Sequence, residues 1–329
     1  MNMVYKCKNC GGNTVYHPDK RSMYCPYCDG IDSEKEVTGT SAANCINCGA
    51  PLEIGEFVSA CKCQHCGSYI IMDERVENEY EPHMIIPFKV SKEKAVELLR
   101  KEFKTRFFTP TDFLSEATLD AFEGMYVPFW TYDYLATYEY SGVGTKVRTW
   151  RTGKTEHVET SYYRVVRKME ADFDKIPVDA SDEMKDELMD LIEPYDYRAL
   201  EEFHKKYLSG FRAERYNQGM SELEPRAQKK AKKDADQLLK ESMMDYNTLR
   251  EESKHLKLQR QTANYALLPV WVYHYSYKGQ KYDYHINGQT GKVLGKTPID
   301  KIRVLLYGAT IYGLLGVMLS LAKMILEVL

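Results

Sequence analysis

The chain has 329 residues, 43% of them hydrophobic and 28% charged, with a formal net charge of −3. That length accommodates two or more domains with a real core. The near-neutral balance argues against a dedicated polyanion binder while leaving room for a local basic patch. Met1 to Asn9 is polar and runs straight into the first cysteines, so no cleavable signal peptide is expected.

The first 74 residues are organised by cysteine. Cys7 and Cys10 are followed by Cys25 and Cys28; Cys45 and Cys48 are followed by Cys63 and Cys66. Within each set 14 residues separate the two pairs, and the second set is the first displaced by 38. Such self-similarity marks a duplicated unit. Thiolates two residues apart on a tight turn both point inward, and a second such turn completes a tetrahedral four-sulfur shell for Zn²⁺. Iron in a rubredoxin-like centre has the same ligand set. All ligands being thiolates, no coordination position stays open for water, which makes the two sites structural. Units this small depend on the metal to fold. Gly11, Gly49 and Gly67 directly follow three of the pairs and Gly30 lies two beyond Cys28, supplying left-handed positions where backbone N–H groups approach sulfur. Cys61 reads as a small residue of the second unit's strand, with a swapped ligand or redox thiol as the alternative; His65 reads as exposed. Asp29 to Glu36 and Asp73 to Glu81 read as acidic linkers.

The body follows. Met84 to Phe88 reads as a strand, and Ser91 caps a helix whose apolar positions recur to about Arg106. Tyr126, Pro128, Trp130, Tyr132, Tyr134, Tyr138 and Tyr140 alternate with other residues, which predicts a long strand or a bulged pair. Thr152-Gly153 reads as a hairpin turn. Ser181 to Ile192 and Tyr197 to Leu208 are predicted helices. From Arg212 to Arg260 twelve Lys/Arg and nine Asp/Glu intermix, the signature of a solvated helix; its most basic piece, Ala227 to Lys233, is the alternative phosphate or headgroup contact. Pro269, Trp271, Tyr273 and Tyr275 then repeat the aromatic motif at a constant offset of 141. The stripe is either core or a platform for stacking bases. Asn287-Gly288 and Thr290-Gly291 are hairpin signals. Gly288 to Lys292 lacks the spacing of a phosphate loop, and neither G-x-S-x-G nor H-E-x-x-H occurs. No catalytic constellation is visible, and an enzyme is not expected.

Val304 to Ala322 carries no charged side chain. As a helix it spans about 28 Å, close to the hydrocarbon thickness of a bilayer. Lys292, Lys296, Lys301 and Arg303 precede it and Lys323 follows, so the positive-inside rule keeps the long N-terminal part in the cytoplasm. Ala309, Gly313, Gly316 and Ser320 form one small-residue stripe suited to self-association or pairing with another helix.

These residues give an α+β reading: zinc ribbons at 1–36 and 37–80, a first α+β half with its aromatic strand at 81–175, a helical segment and second half at 176–300, and a single-pass anchor at 301–329. The ribbon cysteines, the repeated Tyr126-Val-Pro-Phe-Trp-Thr-Tyr and Leu268-Pro-Val-Trp-Val-Tyr stretches, the Asn287-Gly-Gln-Thr-Gly-Lys-Val run and the terminal apolar helix together resemble a bacterial family of transcription-factor-IIB-type zinc-ribbon membrane proteins. Such proteins are often labelled primosomal helicases, but this sequence lacks a nucleotide-binding motor. The resemblance implies membrane partners of phage-shock-type stress proteins, where soluble scaffold proteins are brought to the membrane. The expectation is therefore a non-enzymatic membrane adaptor, with a membrane-tethered nucleic-acid binder or regulator as the alternative.

Overall fold

The computed structural model describes residues 1–39, 43–110, 113 and 122–328. The chain is α+β. Its strands are β1 (Asn2–Cys7), β2 (Val15–His17), β3 (Ser22–Tyr24), β4 (Glu34–Gly39), β5 (Val58–Lys62), β6 (Tyr69–Met72), β7 (Met84–Ile85), β8 (Phe122–Thr152), β9 (Thr155–Asp179), β10 (Glu201–Glu202), β11 (Arg212–Glu214), β12 (Thr248–Tyr277), β13 (Gln280–Asn287) and β14 (Val293–Gly295). The helices are α1 (Lys92–Thr105), α2 (Asp186–Ile192), α3 (Met220–Glu241) and α4 (Lys301–Val328). One sheet runs through the protein in the order β10-β7-β12-β8-β11-β5-β6-β1-β4; β9 joins β8, and β13 and β14 extend from β12.

The two aromatic repeats lie side by side. β8 and β12 pair antiparallel with Tyr126 opposite Pro269, Pro128 opposite Leu267 and Val127 opposite Leu268. Val127 and Leu268 are equivalent positions of the repeat, so the ladder is symmetric about that pair. The flanking strands obey the same symmetry. β11 runs parallel to β8 at Met125 and Tyr126, and β7 runs parallel to β12 at the matching Ala266 and Leu267. Beyond the prolines β9 and β13 take over, starting opposite Phe129 and Val270. Each proline thus stands where its strand changes neighbour, the place in a sheet where a missing N–H donor is tolerated. Their carbonyls stay paired, Pro128 with the Ala180 N–H at 2.9 Å and Pro269 with the Gly288 N–H at 2.8 Å.

Alternation puts the two sides of the ladder into different cores. Tyr126, Trp130, Tyr132, Trp271 and Tyr273 face one cluster with Phe88, Phe211 and α1, while Met125, Val127, Phe129, Val270 and Val272 face α2. The aromatic stripe is core, and its polar atoms find backbone partners: Trp271 Nε1 donates to the Val90 carbonyl (2.9 Å) and Trp130 Nε1 to that of Gln218 (3.0 Å). It offers no platform for bases.

β8, β9 and the first half of β12 continue as an arm that is three-stranded to Thr145 and then a β8–β9 hairpin to Thr152, some 60 Å from Tyr134 to its tip if straight. α3 covers one face with Ala227, Ala231, Ala235 and Leu239, a small-residue stripe four apart that brings it close to Tyr138, Tyr140 and Val165. The solvated helix expected over 212–260 therefore exists only at Met220–Glu241. Thr248 to Arg260 is strand, its exposed polar side chains disguising a ladder with β8.

Other expectations change too. Tyr197 to Leu208 is not a helix but two 3-10 turns around β10, because Glu201 and Glu202 pair with β7 and Phe203, Tyr207 and Leu208 are buried. The helix expected from Ser181 begins at Asp186. The strand expected at Met84 to Phe88 stops at Ile85, since Pro87 has no N–H and the N–H groups of Lys89 and Val90 turn to the Gly288 carbonyl. The acidic linkers are ordered: Glu34–Gly39 is β4, and Lys205 pairs with Asp73 and Glu77.

Gly124 is a point of close approach in the core. A Cβ there would lie 2.4 Å from Phe211 and 3.1 Å from Trp271, and the Phe211 ring stacks on Phe88 at 4.1 Å. Gly124→Ala is expected to cost about 1–3 kcal/mol by overpacking, seen as a lower midpoint in chemical denaturation of the detergent-solubilised chain. An unchanged midpoint contradicts this packing.

Candidate metal centres and the apolar helix

The structure gathers the eight predicted ligands into two groups, Cys7, Cys10, Cys25 and Cys28, and Cys45, Cys48, Cys63 and Cys66, each with its sulfurs within 4.8 Å of one another. In the first, Cys7 ends β1 and Cys25 follows β3; in the second, Cys63 follows β5 and its knuckle turns the chain into β6. Sulfur–sulfur separations are 3.6 Å (Cys7–Cys28), 3.5 Å (Cys10–Cys25), 3.6 Å (Cys45–Cys66) and 3.8 Å (Cys48–Cys63). A tetrahedron with zinc–sulfur bonds of ~2.3 Å has edges of about 3.8 Å, so the donor set fits one such ion at each cluster. Donors converge on the sulfurs: the Asn9 N–H on Cys7 (3.4 Å), the Gly12 N–H on Cys10 (3.5 Å) and the Asn47 amide on Cys66 (3.6 Å).

The four knuckles share one backbone device. The N–H of the residue after each knuckle donates to the carbonyl of its first cysteine: Gly11 to Cys7 (2.9 Å), Asp29 to Cys25 (2.9 Å), Gly49 to Cys45 (2.7 Å) and Gly67 to Cys63 (2.9 Å). The donor is left-handed each time, with φ of +76°, +58°, +75° and +71°. Asp29, not Gly30, fills this role in the second knuckle, and its carboxylate accepts from the Tyr24 hydroxyl.

Each cluster holds one thiol that ionises readily. The Ser33 hydroxyl and backbone N–H groups hold Cys7 down to about 6. Burial pushes Cys66 up, but the Ser68 hydroxyl and N–H and the Asn47 amide outweigh it and leave it at about 6. A thiolate is thus available at neutral pH to receive a soft cation. Cys61 lies in β5 opposite Ile70, outside both clusters, and His65 is exposed.

The ribbons are built into the body. β1 pairs with β6 through Asn2–Met72 and Met3–Ile71, and β5 pairs with β11 through Ala60–Ala213 and Val58–Glu214. Asn13 Nδ2 donates to Ser68 Oγ at 2.6 Å, tying one ribbon to the other.

Two clefts lie elsewhere. One of about 480 Å³ separates Tyr5, Glu34 and Glu36 from Phe203 to Lys206. The other, about 160 Å³, is lined by Glu123, Arg212, Glu214, His274 and His285. Burial raises Glu214 to about 7, with Glu183 adding to the shift, and burial lowers His285 to about 4. The lining comes from four separated segments in the first and five in the second, so no local spacing signals either cleft. A partly exposed ion cluster was equally invisible in sequence: Arg226 meets the fully buried Asp179 at 2.7 Å and also Asp186 and Asp190, while Lys230 bonds Asp190 and Glu193. Of the basic piece Ala227 to Lys233, Lys230 is occupied there, while Lys229, Lys232 and Lys233 are exposed.

α4 contains a stretch, Lys301–Met324, with mean hydropathy 1.9 and none of it buried, long and apolar enough to cross a membrane. The Thr310 and Ser320 hydroxyls bond carbonyls of their own helix, Leu306 and Gly316, both at 2.8 Å. The stripe of Ala309, Gly313, Gly316 and Ser320 is exposed.

No family model matches the chain, and no solved structure matches it. Over 325 residues it is 34% identical to the uncharacterized protein YdjG of Bacillus subtilis (strain 168), with 95% of each chain covered.

At Gly49 a Cβ would meet nothing within 4 Å, so a substitution there tests backbone conformation alone. Gly49→Ala is expected to cost about 1–2 kcal/mol and to weaken metal retention by the second cluster about tenfold in competition with a chromophoric chelator. Retention equal to the parent's contradicts the knuckle account.

Proposed function

The chain belongs to the family of YdjG, and from that premise we propose that it is a membrane-anchored zinc protein whose body recruits or scaffolds cytosolic proteins at the membrane. The observation that carries this reading is the presence in one chain of two closed four-sulfur clusters, joined to the body's sheet through β1, β5 and β6, and an exposed apolar helix. Cys7, Cys10, Cys25 and Cys28 would hold one zinc ion, and Cys45, Cys48, Cys63 and Cys66 the other. A metal in such shells supplies folding free energy and cross-links the chain; it leaves no position for substrate. The role is accordingly adaptor rather than enzyme. The basic residues before α4 support a cytoplasmic body, and the small-residue stripe supports helix pairing within the bilayer. The partner class in view is the soluble scaffold protein of a phage-shock-type envelope response. Burial of the aromatic stripe weighs against the nucleic-acid reading.

The test is purification of the tagged full chain from detergent-solubilised membranes, with and without nuclease, with metal analysis of the product. The expected result is zinc at two per chain and a stoichiometric protein partner that survives nuclease. Iron in place of zinc corrects the metal. Recovered nucleic acid, with protein partners lost after nuclease, overturns the adaptor reading.

A further inference from the structure

Where α4 leaves the body, a short loop is fastened to its root. The Asp300 N–H donates to the Phe108 carbonyl (2.8 Å), and the Arg303 guanidinium to the carbonyls of Thr109 (3.0 Å) and Phe107 (3.4 Å). From the other side Arg106 bonds the Gly295 carbonyl at 3.0 Å and pairs with Glu102. The loop Arg106–Pro110 therefore does not move independently of the helix. It nonetheless presents a large apolar ring to solvent: Phe107 is 66% exposed. The ring lies 5.6 Å from that of Tyr307, which also meets Phe108 at 5.5 Å.

Tyr307 stands three residues into the uncharged run that begins at Val304, about 5 Å along the helix axis. Whatever depth Tyr307 takes in a bilayer, Phe107 shares it. That depth is the boundary between headgroups and acyl chains, where aromatic rings concentrate. The segments joined at this root, the end of α1, the chain after β14 and the start of α4, also carry the exposed Ile299 and Ile302 and three exposed lysines, Lys104, Lys296 and Lys301. None of these lysines forms an ion pair among the described residues, whereas the nearby acids Glu102 and Asp300 are engaged by Arg106 and Arg303. Exposed apolar side chains accompanied by unpaired cations are the composition of a surface that seats in an anionic leaflet.

We propose that the Arg106–Pro110 loop, led by Phe107, is a second membrane contact that seats at the headgroup–acyl boundary of an anionic phospholipid leaflet, with Lys104, Lys296 and Lys301 on the lipid phosphates. The inference rests on the membrane reading of α4. It adds that the body is held against the lipid surface in one orientation rather than swinging on its anchor.

The experiment uses the full chain carrying Phe107→Trp, reconstituted into phosphatidylcholine vesicles with or without phosphatidylglycerol. Flotation reports whether α4 inserts; quenching by acyl-brominated lipid, relative to the parent with its own three tryptophans, reports the loop. The expected result is co-flotation and added blue-shifted emission that brominated lipid quenches about twofold more than the parent's. Lys104→Glu combined with Lys296→Glu is expected to reduce that quenching in anionic vesicles without altering flotation. Co-flotation with the added tryptophan quenched by aqueous iodide and untouched by brominated lipid overturns the contact and leaves the anchor standing. Absence of co-flotation overturns both.

Discussion

The ladder between β8 and β12 is the constraint on which the rest of the protein depends. Its register is fixed by burial on both faces, since a slip of one residue would exchange the tyrosine and tryptophan face with the valine and methionine face. The two copies of the Pro-x-Trp motif meet about Val127 and Leu268, and the symmetry of that meeting dictates where β7, β11, β9 and β13 attach. Proline serves both copies in the same way, ending one pairing so that another can begin.

At one matching position the repeat accommodates different neighbours. The outer edge of β7 is closed by β10 from the body, while the outer edge of β11 is closed by β5 from the second ribbon. An open edge invites unwanted pairing, so the ribbon both extends the sheet and seals it. The cysteine clusters thereby become part of the body's architecture: they lie at the turns that follow β1 and β5. At the other extremity the chain leaves the sheet through β14 and enters α4, with Arg106 and Arg303 pinning the root.

What was legible in the sequence followed from how local each signal is. The cysteine clusters, the left-handed residues at Gly11, Gly49 and Gly67, the long apolar helix and the aromatic repeat depend on short-range spacing, and the structure has all of them in place. Asp29 escaped notice because an aspartate tolerates the left-handed region without announcing it. Thr248 to Arg260 escaped because a strand solvated on much of its surface shows no apolar alternation, and its mixed charges mimic a helix. Tyr197 to Leu208 has helical periodicity, but its backbone is claimed by a long-range pairing with β7 that no local pattern encodes. The same holds for the Arg226 cluster and for the Phe107 loop, whose meaning comes only from contact with Tyr307.

The central claim is that metal-built ribbons are continuous with, and complete, the sheet of the body. Hydrogen exchange of the full chain in detergent, before and after removal of metal by a chelator, tests it most directly. The account predicts that protection is lost in β1, β5 and β6 and carries through to β11, while the paired motifs around Val127 and Leu268 remain protected. Undiminished protection of β5 and β11 in the metal-free chain would contradict it.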